Sequence, residues 1–177
     1  TGLIFISKGK IKTFKTHEDG KELITGIHQA GEFIGYTDLI ESNEHKESAE
    51  ALEDIEVSII PKQDFFALLY SNRDVAARFI KMLSNNLRET EERLMNLAYN
   101  SVRKRVADAL VTLQQRYQHN GEKVPFSVSR EDLAAIVGTA TESVIRTLSD
   151  FKDEKLIEFK EKQIYILNSD KLARLKN

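Results

Sequence analysis

No cysteine occurs among the 177 residues. That excludes disulfides, a cysteine-held iron–sulfur cluster and any thiol switch within the chain. It fits a cytoplasmic protein. Long hydrophobic runs are also missing. Every apolar stretch is soon interrupted, so none is long enough to cross a bilayer as a helix, and no membrane partner is expected. There are only four histidines, His17, His28, His45 and His119, and they are scattered. A metal-dependent barrel enzyme needs clustered histidines and a carboxylate, so no metal site is expected. Neither a G-x-x-x-x-G-K phosphate loop nor a G-x-S-x-G nucleophile elbow is present. The chain reads as a non-enzyme with no resident cofactor.

A net excess of charge is nearly absent: 26 Lys+Arg stand against 28 Asp+Glu, a formal net charge of −2. The distribution is uneven. Residues 1–100 carry 12 Lys+Arg against 17 Asp+Glu, a balance of −5; residues 101–177 carry 14 against 11, a balance of +3. A surplus of three is small for nucleic-acid binding, whose affinity comes from several phosphate contacts. A dimer doubles it.

Residues 3–60 read as β-structure. Leu3–Ser7, Lys10–Thr16 and Glu22–His28 are short strands separated by turn signals at Lys8-Gly9, Asp19-Gly20 and Ala30-Gly31. Phe33–Gly35, Ala49–Leu52 and Ile55–Ile60 follow. That makes about six strands, where a jelly roll has about eight. With Thr1 opening inside an apolar run, the expectation is that earlier strands precede it.

At Pro61 the period changes. Residues 61–69 read as a short helix with proline in its first turn. Asn72 then caps a long helix reaching Leu97 or beyond. Ile80, Leu83, Leu87, Thr90, Leu94 and Leu97 recur at spacings of three and four. That is the seam of a two-stranded coiled coil, and it predicts a homodimer. The alternative is an ordinary helix packed on its own barrel. Asn100-Ser101 marks a hinge, and Val102, Val106, Leu110 and Leu113 start a new helical stripe. His119-Asn120-Gly121 reads as a loop.

The segment from Val128 to Ile157 carries the clearest functional pattern. Ser129, three residues before Asp132, is a helix-start signature. Leu133, Ala134, Ile136 and Val137 form an apolar face, and Gly138 ends that helix by taking a positive φ. Thr139 reads as the N-cap of a second helix. Val144, Leu148 and Phe151 face inward, while Thr141, Glu142, Ile145 and Arg146 lie opposite. This is a helix-turn-helix, whose second helix, around Thr139–Phe151, enters the DNA major groove. Leu156–Phe159 and Gln163–Leu167 then flank the turn Lys160-Glu161-Lys162 as a wing. Asn168-Ser169-Asp170 caps a short terminal helix.

Within that helix Arg146 can donate two hydrogen bonds to guanine O6 and N7, and Glu142 can accept from the cytosine amino group. Two plainer readings compete. Glu142 stands three after Thr139 and could close a capping box; Glu142 and Arg146 are spaced i, i+4 and could pair. Thr139, Thr141 and Ser143 are short donors at a helix start, where phosphate is favoured. Lys160 and Lys162 on the wing are candidates for the DNA backbone.

A β-roll, a long seam helix and a winged helix-turn-helix in this order resemble the Crp/Fnr family of bacterial transcription regulators. Gly31-Glu32-Phe33-Ile34-Gly35 looks like the start of the family's ligand cassette, and Ser129–Leu156 resembles its DNA-reading block. The resemblance implies an α+β fold: a jelly-roll, cyclic-nucleotide-binding-like β-roll over 1–71, a dimerisation helix over 72–100 and a winged helix-turn-helix over 101–177. It also implies double-stranded DNA as partner, a homodimer on a palindromic site and RNA polymerase as a candidate partner. Glu142 and Arg146 fall where the family places its base-reading glutamate and arginine. Thr141 departs from the arginine some relatives carry there, so a different half-site is expected. Some relatives carry a receiver domain before the β-roll. The competing view is an interaction or ligand-sensing module that does not bind DNA.

The resemblance also marks an effector pocket at Gly35, Tyr36, Thr37, Glu47, Ser48 and Ala49. Members that bind a cyclic nucleotide place a glutamate on its ribose and an arginine on its phosphate. Here Tyr36 and Thr37 follow Gly35 without a glutamate, and Glu47 stands where the arginine is expected. A glutamate repels phosphate, and the adjacent Lys46 lacks the bidentate fork. Either an unidentified effector other than a cyclic nucleotide or no ligand at all is therefore expected.

Overall fold

The computed structural model describes residues 2–41, 46–118 and 124–177. His45 and the loop read at His119-Asn120-Gly121 lie outside them. Contacts divide the chain into two units, Thr1–Glu91 and Glu92–Asn177.

In the first unit, turns set the strand order. Gly9, between β1 (Gly2–Lys8) and β2 (Lys10–Thr16), has φ +85°, and a Cβ there would stand 2.5 Å from the Asp54 carbonyl. Only glycine fits both demands. The Asp19-Gly20 turn joins β2 to β3 (Glu22–Gln29), which pair from Lys10↔Gln29 to Thr16↔Glu22. β4 (Phe33–Ile34), β5 (Ser48–Ala51) and β6 (Glu56–Pro61) complete two three-stranded sheets, ordered β4-β1-β6 and β3-β2-β5. Strand alternation sends side chains to opposite faces. Ile6, Ile11 and Ile34 form one buried cluster; Leu3 joins Leu39 and Phe65 in another.

Leu39 belongs to α1 (Tyr36–Glu41), a helix absent from the sequence reading because six residues are too few to display a period. Pro61 is the N-cap of α2 (Lys62–Ser71), not part of its first turn: it ends β6 with ψ 143°. Asn72 caps α3 (Arg73–Tyr99), its Oδ1 accepting from the N–H groups of Asp74 at 3.0 Å and Val75 at 3.2 Å. On α3, Phe79 meets Tyr36 and Phe65 edge-on at 6.0 and 5.2 Å, and Asn86 donates to the Tyr36 hydroxyl. One face of α3 thus belongs to the β-roll.

The second unit is built on α4 (Val102–Tyr117), capped by Ser101 and turning Val106, Leu110 and Leu113 inward. Around it stand α5 (Arg130–Val137), α6 (Thr141–Asp153), the hairpin β7 (Ile157–Lys160) with β8 (Gln163–Ile166), and α7 (Ser169–Ala173). Asn168 caps α7 by accepting from the Lys171 N–H at 2.9 Å. Phe126 is nearly fully buried, stacks on Tyr117 at 5.8 Å and bridges to Ile164, adding a one-residue strand beside the wing. A single bridging residue carries no alternation, so sequence reasoning missed it.

Candidate nucleic-acid interface

The turn between α5 and α6 follows from local chemistry. Ser129 Oγ accepts from the Asp132 N–H at 2.8 Å and starts α5. Gly138 ends it at φ 70°, ψ 51°. The N–H groups of Gly138 and Thr139 both donate to the Ala134 carbonyl, at 2.8 and 3.1 Å. This is a left-handed helix stop that satisfies an orphan carbonyl. It corrects the reading of Thr139 as N-cap. Thr139 still belongs to the stop of α5, and the N-cap of α6 is Ala140, whose side chain can cap nothing. The Thr139–Glu142 capping box therefore does not form. The first turn of α6 keeps N–H groups uncapped by any side chain, a setting that favours phosphate.

α6 divides into two faces. Val144, Thr147, Leu148 and Phe151 are buried against the unit's core. Glu142, Ile145 and Arg146 are exposed on the other side, and Ile145 is 50% exposed despite being apolar. Among the described residues Glu142 and Arg146 form no ion pair with each other or with any other group. Both are thus available to a ligand. Thr139, Thr141 and Ser143 are half-buried around the helix start.

On the wing the two lysines differ. Lys160 Nζ lies 3.2 Å from the Glu158 carboxylate and over the Tyr165 ring at 5.3 Å. Lys162 stands exposed in the turn, next to Glu161 with φ 56°. The wing is tied to the first helix of the motif by Arg130, whose guanidinium lies 4.6 Å from the Phe159 ring centroid. Burial lowers the Arg130 pKa from its usual value, and neighbouring Glu131 opposes that.

Sequence reasoning missed two arginines at the motif. Arg105 of α4 donates from Nη1 to the Val137 carbonyl at 2.6 Å and the Gly138 carbonyl at 3.2 Å. Arg93, near the end of α3, donates from Nη2 to the Ile136 carbonyl at 3.2 Å. Burial lowers the Arg93 pKa from its usual value. Neither contact has a local signature, because the partners are 32 to 43 residues away. Ile145 did have one: an apolar residue off the Val144–Leu148–Phe151 stripe.

The predicted seam residues form a stripe of α3 that adjoins Phe79 and Asn86 and turns Ile80, Leu87 and Leu94 outward. No residue of this helix is buried. Ile80 is 65% exposed, Leu87 62% and Leu94 65%, with Leu83 and Leu97 half-buried. Thr90 is exposed, its hydroxyl donating to the Asn86 carbonyl of its own helix.

In the β-roll the effector candidates separate. Gly35 takes φ 80° and starts α1, with Tyr36 half-buried and Thr37, Ser48 and Ala49 exposed. Glu47 is drawn inward, accepting from the Thr25 hydroxyl. Thr25 shares a 2.9 Å hydrogen bond with buried Thr13, which lies 3.2 Å from His28 Nε2. His28 Nδ1 is 3.4 Å from the Glu32 carboxylate. The ring of His28 lies over Gly26, where a Cβ would come within 2.4 Å of Nε2. Burial raises the Tyr36 pKa; its bond from Asn86 opposes this, and the Glu47 and Glu89 carboxylates add to the rise. An anionic phosphate brought to Glu47 would meet a second anion, so these residues do not fit a cyclic nucleotide held through its phosphate.

Two family models match. That of the cyclic nucleotide-binding domain covers residues 1–72, and that of the Crp-like helix-turn-helix domain covers residues 104–175. The Cyclic AMP receptor protein of Thermus thermophilus is 32% identical over 155 residues, 88% of this chain and 70% of that relative. The Transcriptional activator protein Anr of Pseudomonas protegens is 28% identical over 173 residues, 96% of this chain and 70% of that one. Among solved structures, FixK2 from Bradyrhizobium japonicum superposes with a TM-score of 0.84 at 24% identity, covering 99% of this chain and 87% of that one. No helix among the described residues is long and apolar enough to cross a membrane.

Proposed function

The chain belongs to the Crp/Fnr family of DNA-binding transcription regulators, not enzymes, and from that premise we propose that it reads a palindromic site as a homodimer through α6. The observation that carries this reading is the division of α6: one face wholly buried, the other presenting Glu142, Ile145 and Arg146. Arg146 donates to guanine O6 and N7, and Glu142 accepts from a cytosine amino group. Ile145 stands between them and meets the 5-methyl group of thymine, the apolar feature of the major groove. Thr139, Thr141, Ser143 and Lys162 contact backbone phosphate, with Lys160 contributing if it leaves Glu158.

Dimerisation follows from α3. Fully burying a leucine or isoleucine side chain stabilises by about 1.5–3 kcal/mol. Ile80, Leu87 and Leu94 lack that burial, while Phe79 and Asn86 already serve the β-roll. A second copy of the helix covers them, and two-fold symmetry then matches a palindrome. In functional terms the β-roll spans 1–71, the dimer helix 72–100 and the DNA-binding domain 101–177. An effector other than a cyclic nucleotide acts at the β-roll near Tyr36 and Glu47, shifting the population competent to bind DNA. RNA polymerase is a candidate partner at the promoter, and the cytoplasm is the place of action.

Selecting bound DNA from a random pool tests the whole reading. The expected outcome is a palindrome of two half-sites with a fixed spacing. Recovery of no consensus would sink it.

A further inference from the structure

Three successive carbonyls, those of Ile136, Val137 and Gly138, form the rim of the turn ahead of α6. Each accepts from an arginine that comes from outside the helix-turn-helix: Ile136 from Arg93 of α3, Val137 and Gly138 from Arg105 of α4. The last carbonyls of a helix lack internal partners, and a cation is favoured there. Stability alone would be met by water or by a lysine. Instead Arg105 Nε is buried with no hydrogen-bond partner. A buried donor left without a partner is disfavoured and needs a reason. The reason on offer is geometry, since the planar fork fixes direction as well as distance.

Arg93 has a further property. It stands beside Leu94 and one turn before Leu97, both seam residues. One helix segment therefore carries the proposed dimer contact and the grip on the recognition motif. Ala140, the N-cap of α6, is only four residues beyond Ile136. We propose that Arg93 and Arg105 are positioning residues for DNA recognition, fastening the turn before α6 to α3 and α4 so that both recognition helices keep a fixed relation to the dimer axis. The clamp contacts no base. It sets the separation at which two half-sites are read, and so rests on the dimeric reading above.

The test uses the full chain and a set of palindromes whose half-sites are moved apart or together one base pair at a time. Arg93→Lys keeps the cation and its capacity to donate but loses the planar fork; Arg93→Met removes charge and donors alike. Both variants are first checked for folding by circular dichroism and for dimers by sedimentation. The wild type is expected to prefer one spacing sharply. In Arg93→Lys the profile broadens, and in Arg93→Met it broadens further, with affinity at the best spacing falling about tenfold. The half-site sequence recovered by selection stays the same in both. A merely structural arginine would lower stability without changing the spacing profile. A profile as sharp as the wild type's in either folded, dimeric variant overturns the clamp. If Arg93→Met does not fold, the Lys profile decides by the same criterion. A wild type indifferent to spacing would overturn the dimeric palindrome reading instead.

Discussion

Arg146 illustrates what a single exposed side chain can decide. It has no ion-pair partner among the described residues, so removing it leaves no orphaned charge within the protein. Arg146→Ala should weaken binding to the selected palindrome by about 1–3 kcal/mol and abolish discrimination at one guanine per half-site. Titrations against sites altered at each base check this; unchanged sequence preference would exclude Arg146 from base reading. Ile145 has a separate signature. Replacing the facing thymine by uracil deletes only the 5-methyl group, so the wild type should lose affinity while Ile145→Ala should not distinguish the two bases. Glu142 was ambiguous in the sequence, where the Thr139 spacing also suited a capping box. The structure removes the capping-box alternative through one backbone bond, the Thr139 N–H given to Ala134.

At the level of elements, most starts and stops follow from short-range chemistry. Ser129, Asn72, Ser101 and Asn168 are caps because a side-chain oxygen reaches an N–H two or three residues on. Gly138 holds a left-handed conformation, so Gly138→Ala should destabilise the protein by about 1–2 kcal/mol, measurable by chemical denaturation. No loss would show that the turn relaxes to another geometry. The apolar stripe of α3 was equally legible, since its period is carried by six residues in one helix. Leu87→Asp or Leu94→Asp places a charge in the proposed seam and should yield monomers in sedimentation velocity. An unchanged dimer would move the interface elsewhere. Elements without a period were not legible: α1 is too short, and the Phe126–Ile164 bridge joins positions 38 residues apart.

For the whole molecule, charge governs affinity more than fold. The chain is acidic overall, yet residues 101–177 carry a surplus of three positive charges that a dimer doubles. Binding should therefore weaken linearly in log affinity against log salt. Lys162→Ala should lower that slope by about one per protomer without altering the half-site. A slope equal to the wild type's would remove Lys162 from the phosphate contacts.

The order of parts, most caps and turns, the apolar stripe of α3 and the outward face of α6 could be read from the amino acids alone. Each depends on residues within a few positions of one another, where backbone geometry and side-chain reach are fixed by spacing. Only the folded chain shows that Glu47 turns to Thr25 and that Arg93 and Arg105 hold the carbonyls before the recognition helix. Those contacts join residues 22 to 43 positions apart, and packing of whole elements, not local spacing, brings them within hydrogen-bond distance.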